Sequence, residues 1–149
     1  NVERILKHKD ALEEFTGIDS EKWFDKSIKK WDHEYPGGDY TRTTYDEVKD
    51  YCIFLNTKGR GCMLHSFALD KGIDYHDLKP FFCSMFPITY FEGVLLTPEE
   101  IDEKLTACLG DGPSLYRGSR DEIKYYFGEG MIEELDSIEA NWLEQKKSA

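Results

Sequence analysis

The residues from Tyr51 to Pro87, YCIFLNTKGRGCMLHSFALDKGIDYHDLKPFFCSMFP, constrain this chain more than any other stretch. They hold three of its four cysteines, two of its four histidines, a glycine-rich turn and a Lys-Pro corner. The fourth cysteine follows in Ala107-Cys108-Leu109-Gly110-Asp111-Gly112, so the spacing is C-x9-C-x20-C-x24-C. Cys62 follows Gly61, Cys83 follows the Pro80 corner, Cys108 precedes two glycines, and Cys52 stands near the start of a β-like run. Zinc and iron-sulfur clusters both favour four thiolates, and both draw them from turns that can aim several side chains at one centre. Cys52, Cys62, Cys83 and Cys108 are therefore expected to form one metal site. His65, which completes C-x2-H with Cys62, is a further candidate ligand.

Two other readings of the same thiols stay open. Cysteine is among the most buried residue types, so the four can be plain core thiols, or they can form two disulfides. No secretion signal is visible, which argues against disulfides. The C-x2-C knuckles of most small zinc modules are also absent. His76 ranks below His65 as a ligand, and His8 and His33 read as surface residues.

The flanking chain reads as helices around a small antiparallel sheet. Val2, Ile5, Leu6, Leu12 and Phe15 have mostly helical spacing up to Gly17. Asp19 or Ser20 is expected to cap a second helix with the stripe Trp23, Phe24, Ile28 and Trp31. Tyr35 to Asp39, with Pro36 and two glycines, predicts a connection. Tyr51 to Leu55 predicts a strand, Lys58 to Gly61 a tight reversal, and Met63 to Leu69 a short helix stopped by Gly72. Pro80 keeps Lys79 out of helix. Phe86 to Phe91 and Val94 to Thr97 predict a hairpin through Glu92-Gly93. Thr97-Pro98-Glu99-Glu100 predicts a helix running towards Cys108, and Ser119 with Glu122 a capping box for the next. Met131, Leu135, Ile138 and Trp142 predict a long amphipathic helix closing over the core, with Glu144 to Ala149 fraying. The fold expected is α+β, one domain over residues 1–149.

Thirty acidic against 19 basic residues give a formal charge of -11. Such a field repels phosphate backbones and anionic lipid, so nucleic acid is not the expected partner. No apolar run approaches the roughly 18 residues that cross a bilayer, so no membrane association is expected either. With no secretion signal visible, a cytoplasmic location is expected.

Tyr51-Cys52-Ile53-Phe54-Leu55, Gly61-Cys62-Met63-Leu64-His65 and Lys79-Pro80-Phe81-Phe82-Cys83-Ser84-Met85-Phe86-Pro87 together resemble the YkgJ-type cysteine-cluster proteins. Members carry a C-x-F-L strand, a second cysteine after a turn, an Arg/Lys-Pro-x-x-Cys-x-x-Phe-Pro segment and a later Cys-x-Gly-x-Gly element, which Cys108 to Gly112 matches. The likeness covers about the middle 60 residues. The family is described as zinc- or iron-chelating, with some relatives attached to protein methylation or peptide modification. The resemblance implies that Cys52, Cys62, Cys83 and Cys108 are metal ligands. It also implies an upstream cysteine cluster, and no cysteine precedes Cys52 here. Either that cluster was cut away before Asn1 or this member has lost it.

The function expected on these grounds is a metal-binding protein with a structural or redox and maturation role. Zinc is preferred over iron or an iron-sulfur cluster because it needs no assembly machinery. A rival is an iron-dependent enzyme or accessory subunit acting on a peptide, with His65 and Lys79 supported by Asp74 and Asp77. No nucleophile, base and orienting group stand at fixed spacing to carry such chemistry. The third reading is an adaptor that docks a protein partner through aromatic residues between Trp31 and Tyr45.

Overall fold

Left-handed glycines stop α-helices at Gly17 and Gly72, and side-chain caps start others at Asp74 and Ser114. The computed structural model describes residues 1–30, 39–49, 51–59, 61–91, 93–97 and 112–148. It divides into two compact units, Asn1–Cys83 and Ser84–Ala149. Both mix helix with short antiparallel ladders, so the class is α+β.

The first unit opens with α1 (Val2–Leu6) and α2 (Lys9–Thr16) where one helix was expected. The break falls at His8, whose amide bonds Ile5 O at 3.0 Å, three residues back, and tightens the chain out of the α pattern. Gly17 ends α2 with φ 70°, a conformation that favours glycine.

The expected helix over Trp23 to Trp31 does not form. Asp19 does cap, but only a 3₁₀ turn, Ser20–Lys22. Beyond it the backbone pairs elsewhere: the Asp25 amide donates to Arg42 O at 2.8 Å and the Thr44 amide to Trp23 O at 2.9 Å. The Asp25 carboxylate accepts from the Ser27 amide and hydroxyl, a local turn that competes with helix. Trp23 is buried as predicted, its indole N–H donating to Ile18 O at 3.0 Å, whereas Ile28 is 76% exposed. Trp31 and the predicted connection over residues 35–38 lie outside the described residues.

Instead of one small sheet there are separate two-stranded ladders. β1 (Lys29–Lys30) pairs with β2 (Asp39–Tyr40), and β3 (Tyr45–Asp46) with β4 (Tyr51–Cys52). The strand expected to reach Leu55 stops at Cys52, because the Leu55 amide turns back to Cys52 O at 2.8 Å. Leu55 then bridges to Cys62 across the predicted reversal. There the Asn56 amide bonds Gly61 O at 2.9 Å, and Gly61 has φ 86°.

From Cys62 the chain enters α3 (Met63–Lys71), stopped by Gly72 as expected, then α4 (Tyr75–Leu78), capped by Asp74. Lys79 is extended ahead of Pro80, and α5 (Phe81–Met85) follows. α2 packs on α3, and α4 touches both α1 and α3. The core beneath is Ile5, Leu12, Trp23, Phe54, Leu64, Phe67, Ala68 and Leu78, all essentially without solvent contact. Removing a side chain such as Leu12 from it is expected to cost about 2–5 kcal/mol.

In the second unit, β5 (Thr89–Phe91) and β6 (Val94–Leu96) form the predicted hairpin, with Phe91 opposite Val94 and Gly93 at φ 79° in the loop. The predicted helix from Pro98 to Cys108 lies outside the described residues. α6 (Leu115–Phe127) starts four residues before the predicted Ser119 cap. Ser114 caps it, its hydroxyl accepting from the Arg117 amide at 3.3 Å, and Ser119 is buried inside the helix. α7 (Glu129–Lys147) runs antiparallel to α6 through the tight Gly128 corner. It does not fray at Glu144: Lys146 and Lys147 complete its last turn, where cations suit the helix dipole, and Lys146 Nζ sits 3.9 Å over the Trp142 ring.

Candidate functional site

Three of the four expected ligand cysteines fall in the first unit, each held by its own element. Cys52 ends β4 with its sulfur 3.3 Å from the Thr43 hydroxyl. Cys62 is the N-cap residue of α3, and Cys83 stands in α5. Burial pushes the Cys62 thiol pKa up, although the amides of His65 and Leu64 pull the other way. Burial also raises Cys83 to about 11, with the negative charge that Cys62 and Cys52 would carry adding to the effect and Lys79 opposing it. Cys62 and Cys83 are therefore thiols, not thiolates, at neutral pH.

The remaining candidates are engaged with other groups. His65 stacks on Tyr75 at 4.2 Å, and Tyr75 stacks on His76 at 4.0 Å. His76 Nδ1 lies 2.6 Å from Asp74 Oδ1, whose carboxyl is held below the usual range by the His76 amide and ring. Asp77 pairs with Arg4 at 2.6 Å, while the charge of Lys79 acts on the thiols themselves, opposing the rise of Cys62 and Cys83. His8 meets the edge of Phe67, and His33 lies outside the described residues.

Among the described residues no three or more His, Cys, Asp or Glu side chains are grouped to hold a metal ion. This overturns the expected function of a metal-binding protein built on the four cysteines, and with it the iron-dependent enzyme offered beside it. Cys52, Cys62 and Cys83 sit on three separate elements, close enough for the charge of one to raise the pKa of another but not grouped as a ligand set, and His65 is taken up in the stack on Tyr75. Cys108 lies outside the described residues.

The second unit carries a different feature. A groove of about 400 Å³ runs between the β5–β6 hairpin and the helical pair. Ile88, Leu95 and Leu96 line the hairpin side, and Ile123, Leu135, Ile138 and Trp142 the helical side. Ser114, Tyr116 and Glu139 supply its polar margin. Ile123 is buried, but Leu96 is 42%, Trp142 51% and Ile138 55% exposed. The stripe predicted to close over the core thus does so only through its neighbour Ile132, which is fully buried. Ile138 and Trp142 form an open wall.

No family model, curated protein or solved structure matches this chain.

What holds the groove wall in place is a polar clamp between α6 and α7. Arg120 donates to Asp136 at 2.8 Å, Tyr116 donates to Asp136 at 2.7 Å and to Ile132 O at 3.3 Å, and Arg117 pairs with Glu139. The hydrogen bonds from Arg120 and Tyr116 hold the Asp136 carboxyl down to about 2. Sequence reasoning found Leu135, Ile138 and Trp142 as a stripe but assigned them to the core. The signal it missed was length: α7 has 19 residues and α6 only 13, so part of the longer helix has no helical partner in that pair. No helix among the described residues is long and apolar enough to cross a membrane.

Proposed function

We propose that this chain is a protein-binding module whose second unit takes up an amphipathic helix of a partner in the groove between the β5–β6 hairpin and α7. The observation that carries the proposal is the half-exposed pair Ile138 and Trp142 on the wall of an otherwise apolar groove. Large apolar side chains arranged in one concave stripe mark an interaction site far better than the same residues scattered singly. Leu135, Ile138 and Trp142 span about 10 Å of helix at 1.5 Å per residue, the length over which two turns of a docked helix can set their own i, i+3, i+4 anchors. Trp142 is the expected hot spot, since a half-buried indole gains most when a partner covers it.

This surface is distinct from the aromatic one expected between Trp31 and Tyr45, much of which lies outside the described residues. Kinship with the YkgJ-type family is proposed on the Lys79 to Pro87 motif and carries no activity to this chain.

Calorimetry with a synthetic amphipathic helical peptide, leucines on one face and glutamines on the other, tests the reading. Saturable binding is expected, weakened at least about tenfold by Ile138→Asp, a change at a position too exposed to threaten folding. Binding that is indifferent to Ile138→Asp, or uptake of a small hydrophobic dye with no uptake of peptide, contradicts it.

A further inference from the structure

The polar margin of the groove indicates which helices it takes up, an inference that rests on the docking reading above. Four of the described residues lining it are polar: Thr97, Ser114, Tyr116 and Glu139. Thr97 is exposed to solvent. The other three are already engaged within the α6–α7 pair.

The Ser114 hydroxyl donates to Glu139 Oε1 at 3.1 Å and accepts from the Arg117 amide at 3.3 Å. Arg117 Nε donates to Glu139 Oε2 at 2.6 Å, so both oxygens of that carboxylate are occupied, and its side chain is only 15% exposed. The Tyr116 hydroxyl directs its proton to Asp136 at 2.7 Å. The Trp142 ring likewise has a cation in place, Lys146 Nζ at 3.9 Å. What is left for a partner is the apolar lining, chiefly Leu95, Leu96, Leu135, Ile138 and Trp142.

We propose that the groove's partner is a helix whose docking face is apolar without interruption, and that Arg117 sets this specificity by keeping Glu139 engaged. A serine, asparagine or glutamine among the partner's anchors gives up its water on docking and meets no hydrogen-bonding group in exchange. A helix with the same outline and one polar anchor is rejected on that ground. Arg117 does not line the groove and acts through Glu139, so it is a positioning residue.

Three helical peptides test this against the intact chain by calorimetry. The first is the leucine–glutamine peptide. The second carries asparagine, close to leucine in size, in place of its central leucine. The third carries the asparagine on the glutamine face and corrects for the lower helix propensity of that residue. The second is expected to bind between about tenfold and a hundredfold more weakly than the third, the range an apolar pocket reaches against a polar analogue. Arg117→Met frees Glu139 to accept from the asparagine amide, a charge-assisted bond that should narrow the gap to within about threefold and leave the first peptide nearly unchanged. Far-ultraviolet circular dichroism verifies the fold, in which Arg120 still holds Asp136. Ser114→Ala, which releases the other carboxylate oxygen, serves in its place if Arg117→Met does not fold.

A second peptide that binds as tightly as the third overturns the proposal and leaves the docking reading standing. A gap that persists in the folded variant also overturns it, since the rejection then does not pass through Glu139. If none of the three peptides binds, the docking reading itself fails.

Discussion

Cys83 is an exposed residue with a silent thiol. Desolvation of its sulfur, reinforced by the neighbouring Cys62 and Cys52, lifts its pKa from 9.0 to about 11. At pH 8 a rise of two units cuts the thiolate fraction about a hundredfold. Iodoacetamide is therefore expected to alkylate Cys83 about a hundredfold more slowly in the native chain than in urea, as read by peptide mass spectrometry; equal rates would refute the buried-thiol environment. The same shift fixes a pH window. The folded state holds this proton more tightly than the unfolded state, so its contribution is complete below about pH 9 and is lost as the pH rises towards 11. Cys83→Ser should flatten that alkaline loss in denaturant titrations. The sequence placed this thiol beside a proline corner but could not reveal its desolvation, because burial is a property of packing and not of spacing. His65 was opaque for the same reason: C-x2-H spacing is a ligand pattern, while its stack on Tyr75 arises from α3 packing on α4.

Elements were legible where a single residue type dictates the backbone. Gly17 and Gly72 stop their helices in the left-handed region, Pro80 extends Lys79, and Gly93 turns the hairpin, all as the sequence predicts. The reading failed where two partners competed for one stretch. Trp23 to Ile28 has helical periodicity, yet its backbone groups pair with residues 42–44, contacts that no local pattern reveals. At α6 the true cap is Ser114, so Ser114→Ala should cost about 1 kcal/mol in chemical denaturation. A fully retained midpoint would show that the first turn is held by other contacts. The α6–α7 pair also has an acid limit. Asp136 is held down to about 2 in the fold against 3.8 ordinarily, so its stabilising share is complete above about pH 4 and is lost as the pH falls through 2. Asp136→Asn should lower helical content at pH 7 and shift acid unfolding away from this window, followed by circular dichroism; an unchanged acid profile would mean the clamp carries little of it.

At the scale of the whole molecule, two compact units divide the work. Asn1–Cys83 owns a closed aromatic and aliphatic core around Trp23, Phe54 and Phe67, and most of its candidate chemistry is spent on its own folding. Among its described residues Ser84–Ala149 buries the apolar side chains Met85, Ile88, Ile123 and Ile132, and it leaves Ile138 and Trp142 of α7 half exposed. The stripe was visible in the sequence as a 4-3-4 recurrence. That it faces a groove was not visible, because periodicity gives the face of a helix but not what covers it. The central claim is that this groove is where the molecule meets its partner. The most direct test is a methyl-labelled nuclear magnetic resonance titration of the intact chain with the amphipathic leucine–glutamine peptide. The account predicts shifts concentrated on Leu95, Leu135 and Ile138, with Ile5, Leu12 and Leu64 unmoved. Shifts confined to those first-unit methyls, or no shifts at saturating peptide, would contradict it.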